Sequence, residues 1–234
     1  MQITRREIEN LVGTKISNVA LYTQAFTHKS ALKQYPELKS SYETLEFMGD
    51  SVLGFIVTKY LFDRYSSEHE EGFLTKARTK IVRGSTLSII SERLELYRWI
   101  IMDDKGISKG WNKNPKILED VLEALIGAIY IDLGIIHTKQ FVFKLLEDNP
   151  IDMNDDNYKD QLMRFCQTCK FDLPLYNIDG LFQGVFYVSV IVNGIVYGKG
   201  SGTTKKQAEQ VAAFEAIKHL GCMNNNASYS IQVA

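Results

Sequence analysis

Leu45-Glu46-Phe47-Met48-Gly49-Asp50-Ser51-Val52-Leu53 sets two carboxylates into an otherwise apolar stretch. Glu46 and Asp50 are four residues apart, so on a helix of about 3.6 residues per turn they share one stripe. A second stretch, Leu118-Glu119-Asp120-Val121-Leu122-Glu123-Ala124, repeats the device with Asp120 and Glu123 three apart. Like charges at these spacings repel, and carboxylates in an apolar helix are costly unless paired or bound to a cation. Four such groups converging suit hard divalent cations, Mg²⁺ above all. That arrangement supports phosphodiester cleavage by two metals about 3.5–4 Å apart. Asp50 and Glu123 stand beside Gly49 and Ala124, small residues that permit close approach, and are expected to be the direct ligands. The alternative for each pair is a salt-bridged surface, which the apolar neighbours argue against.

Outward from these motifs, residues 1–148 read as almost entirely helical. Residues 51–62 are apolar on most sides, so this helix is expected to be buried all round, inside a bundle or at a subunit interface. Pro115 suits the first turn of the second acidic helix, and Gly134 suits its end. Residues 149–156 are polar and acidic, contain Pro150, and read as a linker. Beyond them the period changes. An amphipathic helix over 158–170 precedes β-branched and aromatic strands at 185–192 and 195–200, joined by an Asn193-Gly194 hairpin turn. A last helix begins after Thr204, a suitable N-cap. Helix, sheet, helix is an α+β order.

Four ordered blocks resemble those of the ribonuclease III family, the double-stranded-RNA endonucleases: residues 26–30, 42–53, 71–78 and 120–130. The resemblance runs from about residue 5 to 220. It implies an all-α endonuclease domain over 1–148. A small α+β double-stranded-RNA-binding domain of order α-β-β-β-α would follow at 157–222, ending in a disordered tail at 223–234. It implies that Glu46, Asp50, Asp120 and Glu123 are the catalytic, metal-holding carboxylates, with Mg²⁺ as cofactor and Mn²⁺ as a substitute. Asn114-Pro115-Lys116-Ile117-Leu118-Glu119-Asp120 is closer to the Dicer-like form of the second block, and Lys116 either steadies the acidic cluster or is a surface charge. Arg78 is a candidate phosphate ligand, and His28 a structural hydrogen-bonder. One domain offers one site, whereas a duplex needs two cuts, so a two-fold homodimer is implied, with Phe47 and Met48 at its interface. The products would carry 5′-phosphates and short 3′ overhangs.

The C-terminal half resembles the RNA-binding domain best over 200–209, where Thr204, Lys205 and Lys206 open a helix. Ammonium groups beside free backbone N–H donors suit phosphate. Two other usual contact regions are altered. Met163 and Arg164 occupy the first helix where a Gln or Glu is usual. Gly180-Leu181-Phe182-Gln183 replaces the Gly-Pro-x-His loop and leaves Gln183 as its polar group. Arg164 and Gln183 join the lysines as candidate RNA contacts.

The chain has 234 residues and a net charge of −1, so attraction to RNA must come from local patches such as 199–206 and not from a global field. No signal core or membrane-spanning run is evident, and the protein is expected to be intracellular with no membrane partner. Three cysteines argue against a disulfide framework. Cys166, Cys169, His219 and Cys222 are zinc-ligand types, but their spacing does not show convergence, and zinc is not expected. Two rival functions remain at this level. A catalytically silent RNA binder should have lost acidic ligands, and this chain keeps all four. A structural dimerisation protein would have solvated acidic clusters.

Overall fold

In the computed structural model, residues 3–150 and 156–221 are described. They fall into two compact units. The first holds α1 (Arg5–Val12), α2 (Val19–Ala25), α3 (Ala31–Gln34), α4 (Glu43–Tyr65), α5 (Glu71–Val82), α6 (Gly84–Arg93), α7 (Asp104–Ser108) and α8 (Pro115–Asp148). The second holds α9 (Tyr158–Thr168), β1 (Leu175–Phe182), β2 (Val185–Val192), β3 (Ile195–Gly202) and α10 (Lys205–His219). This is an all-helical domain followed by an α-β-β-β-α domain.

The long helices α4 and α8 form the centre of the first unit. Leu53, Ile56, Val57, Tyr60 and Leu61 of α4 are buried, as are Val121, Leu122, Leu125, Ile126 and Ile129 of α8. α8 starts as its sequence dictates. Asn114 caps it by accepting from Lys116 N at 2.9 Å, and Pro115 takes the first position, where its missing N–H costs nothing. Among the described residues, α8 is also the one helix long and apolar enough to cross a membrane. Its apolar residues are instead the core of this unit.

Three expectations are corrected here. Gly134 breaks α8 at φ +75°, a conformation open to glycine, but the helix resumes and runs to Asp148. The helix over 51–62 is not the centre of a bundle: within one chain, Phe55 and Phe62 are exposed on the side away from the core. Asn149, read as the first linker residue, is buried and accepts from Arg93 Nη1 at 2.7 Å, so it belongs to the first unit. Residues 151–155 and the tail from 222 lie outside the described residues.

In the second unit, β1, β2 and β3 form an antiparallel sheet in that order. Leu162 and Cys166 of α9, Val188, Val190 and Val192 of β2, and Ala208, Ala212 and Ala216 of α10 make the core. Glycine allows the close packing of α10 on β3, since a β-carbon at Gly198 or Gly200 would strike the α10 backbone. Asn193 and Gly194 both have positive φ, as the two-residue hairpin requires. Gln183 and Gly184 do the same between β1 and β2. Gly180 to Phe182 are therefore strand residues, and the expected loop is a two-residue turn.

Candidate active site and nucleic-acid interface

α4 and α8 cross with their backbones almost touching. A β-carbon at Gly49 would overlap the Glu123 carbonyl, and one at Gly127 would overlap the Leu45 carbonyl. Gly49 is thus small because α8 passes over it, a reason the motif alone does not reveal. At this crossing, side-chain oxygens of Glu46, Asp120 and Glu123 lie within 4.8 Å of one another. Asp120 and Glu123 are buried and Glu46 is half-buried. Asp50 is exposed and stands outside that trio, though its charge still acts on Glu123. Of the two residues expected to be the direct ligands, Glu123 lies in this trio, with Glu46 and Asp120, and Asp50 does not.

Burial, reinforced by the charges of Asp50, Glu119 and Glu46, pushes the Glu123 carboxyl up to about 8. Burial and then the Asp120 charge raise Glu46 in the same direction. Such a cluster is costly when fully ionised without a cation.

Asp120 is held by two side chains. The Tyr42 hydroxyl donates to its Oδ2 at 3.3 Å, and Lys116 Nζ lies 2.8 Å from its Oδ1. Oδ1 is buried, with the Lys116 ammonium against it. The donor set of the three carboxylates is all oxygen, which fits a hard divalent cation. Contact with Asp120, opposed by burial, raises the Lys116 pKa above its ordinary value. The structure thus places Lys116 against the cluster, where the sequence left two readings open. Tyr42 was not singled out from the sequence. Its signal was its place one turn before Glu46 on a pattern of apolar and acidic residues.

The His28 ring makes its hydrogen bonds within its own turn. Its Nδ1 accepts from Ser30 N at 3.2 Å, and burial lowers its pKa. Phe47 is 77% exposed and Met48 is partly exposed, both on α4 with Phe55 and Phe62. Arg78 is exposed on α5.

In the second unit, Thr204 caps α10 by accepting from Gln207 N at 3.2 Å, and Lys205 and Lys206 are the first two helical residues. Lys205 Nζ lies 5.9 Å from the Phe186 ring centre, so this lysine is at the sheet end that carries the Gln183-Gly184 turn. Arg164 is exposed and paired with Asp160 at 2.8 Å, and Met163 is exposed beside it. The zinc types do not assemble among the described residues. Cys166 is buried in the core, Cys169 is exposed, and His219 Nδ1 contacts the Tyr197 carbonyl at 2.6 Å. Cys222 lies outside the described residues.

Comparison with known proteins places these sites in a family. Residues 18–149 match the family model described as ribonuclease-III-like, and residues 158–220 match the double-stranded RNA binding motif. Putative protein A464R of Paramecium bursaria Chlorella virus 1 is 41% identical over 94% of this chain and 81% of its own. Ribonuclease 3 of Listeria innocua is 37% identical over 92% of this chain and 96% of its own. A crystal structure of the nuclease domain of ribonuclease III from Campylobacter jejuni superimposes with a TM-score of 0.56. It is 33% identical and covers 62% of this chain and 94% of its own. The chain therefore belongs to the ribonuclease III family, as an endoribonuclease whose helical nuclease domain is followed by a double-stranded-RNA-binding domain.

Proposed function

We propose that this protein hydrolyses double-stranded RNA with a divalent cation, Mg²⁺ or Mn²⁺ in its place. It acts as a homodimer and leaves 5′-phosphates and short 3′ overhangs. The observation that carries the reading is the convergence of Glu46, Asp120 and Glu123 oxygens within 4.8 Å across the α4–α8 crossing. Asp50, one turn from Glu46, would complete the acidic set once the cluster is neutralised. The cation supplies polarisation of the attacking water and stabilisation of the leaving 3′-oxygen. Glu46, Asp120 and Glu123 bind and orient it. Tyr42 and Lys116 fix the Asp120 carboxylate, and Lys116 offers a positive charge to the scissile phosphate.

The homodimer reading rests on the exposed Phe47, Phe55 and Phe62 of α4, large apolar rings spaced to share one face. A two-fold axis through such a face would bring two acidic sites to one duplex. In the second domain, Lys205 and Lys206 with Thr204 and Gln183 are taken as the RNA contacts, and Arg164 contributes less because Asp160 already neutralises it.

The test is incubation with a labelled long duplex RNA, with and without Mg²⁺, for wild type and Glu123→Gln. Wild type should cut only with the cation, and Glu123→Gln should bind duplex but not cut. Wild-type cleavage by Glu123→Gln would remove that residue from the site.

A further inference from the structure

Glu119 belongs to neither catalytic pair, yet it immediately precedes Asp120 on α8 and meets α6. Its carboxylate is pressed onto Gly84, the first residue of α6, so closely that a β-carbon there would overlap it. The first turn of α6 has no side-chain N-cap, and its positive dipole end favours a carboxylate. The same carboxylate lies 3.3 Å from Lys116 Nζ, which is 2.8 Å from Asp120 Oδ1. A continuous chain of contacts thus runs from α6 through Glu119 and Lys116 to Asp120.

We infer that Glu119, seated on Gly84, is a positioning residue for the Lys116 ammonium. This rests on the cation-dependent cleavage proposed above. A lysine head is a point charge on a flexible four-carbon stem, so one carboxylate partner would let it collapse wherever that partner goes. As it stands, Lys116 is shared, 2.8 Å from Asp120 Oδ1 and 3.3 Å from Glu119. With Asp120 alone as partner, it would have no second anchor once a cation takes that oxygen. When Asp120 turns its oxygen to a cation, Lys116 keeps Glu119 and stays beside the site, where it meets the phosphate of the substrate. Gly84 matters because only a residue without a side chain leaves room for the carboxylate.

Gly84→Ala provides the test because it moves Glu119 and changes no charge. Alanine also suits a helix better than glycine, so α6 itself should form. Cleavage of duplex RNA is measured at saturating RNA and saturating Mg²⁺. Glu119→Ala and Gly84→Ala should each lower kcat about tenfold or more, as a misplacement of an ångström or so does. Gly84→Ala should add nothing in the Glu119→Ala background, and Glu119→Ala should add nothing in the Lys116→Met background. Wild-type kcat for Gly84→Ala would overturn the inference. So would equal losses with and without Lys116, which would mean that Glu119 acts by its own charge. Should Gly84→Ala unfold, Glu119→Gln with and without Lys116→Met reads the same coupling. An inactive Glu123→Gln together with a fully active Glu119→Gln would reject this inference and leave the proposed function standing.

Discussion

At the scale of single residues, the acidic site depends on the absence of two side chains as much as on the presence of three. Gly49 and Gly127 let α4 and α8 approach until backbone meets backbone. Gly49→Ala must push the helices apart, because the atom in the way is a carbonyl and not a flexible side chain. Overpacking of this kind typically costs about 1–3 kcal/mol. The variant should therefore unfold at lower temperature, and it should bind Mn²⁺ weakly because the oxygens separate. An unchanged melting curve would show that the crossing has slack. Titration of Glu123 gives a second prediction. Its carboxyl is pushed up to about 8 from an ordinary value of 4.5. A raised carboxyl makes the folded state bind a proton that the unfolded chain has lost, so stability falls as pH rises between those values. A cation needs the ionised form, so its binding expels that proton and strengthens toward pH 8. Melting temperatures at pH 6 and pH 8 should show a larger gain from Mg²⁺ at pH 8. The difference should vanish in Glu123→Gln. The convergence of Glu46, Asp120 and Glu123 was legible in the sequence because charge on an apolar helix has few uses. Tyr42 and Glu119 were not, since their roles depend on contacts across helices that spacing cannot reveal.

At the scale of elements, helix α4 shows where periodicity runs out. Its apolar residues surround the axis, which the sequence could express only as burial on every side. The structure buries Val57 and Leu61 and exposes Phe55 and Phe62. One sequence pattern thus serves both a core and a free face, and only the partner helix α8 decides which is which. Gly134 teaches the same lesson. A glycine after a helical run reads as an end, yet the chain beyond it still has helical periodicity, and Phe141, Val142 and Leu145 dock it back on the core. Between β1 and β2, the turn at Gln183-Gly184 lacked the Asn-Gly signal and so passed as part of a longer loop. The free face of α4 carries the third prediction. Phe47→Ala should weaken the homodimer, by about 2–4 kcal/mol if the ring is fully buried between protomers. Light scattering at falling concentration measures it. A wild-type protein that is monomeric at micromolar concentration would reject the two-fold arrangement altogether.

At the scale of the whole molecule, the chain joins a catalytic unit to an RNA-binding unit while carrying a net charge of only −1. Binding must then rely on where the charges are, and the second domain concentrates its case at one helix start. Lys205 and Lys206 follow the Thr204 cap, so two lysines share one helix start with its first-turn backbone N–H donors. The other usual contacts are weaker here: Met163 has no hydrogen-bonding group for a 2′-hydroxyl, and Arg164 is paired with Asp160. Phosphate attraction is blind to sequence and fades as salt rises, because each neutralised phosphate releases counterions. Lys205→Ala with Lys206→Ala should therefore lower duplex affinity and reduce the salt slope by about 2, one unit for each lost contact. Cleavage of saturating RNA should change far less than binding, since the acidic cluster is built entirely within the first unit. Affinity at several salt concentrations, set beside kcat, separates the two effects. Unchanged affinity and slope would mean that this domain grips duplex through some surface other than the start of α10.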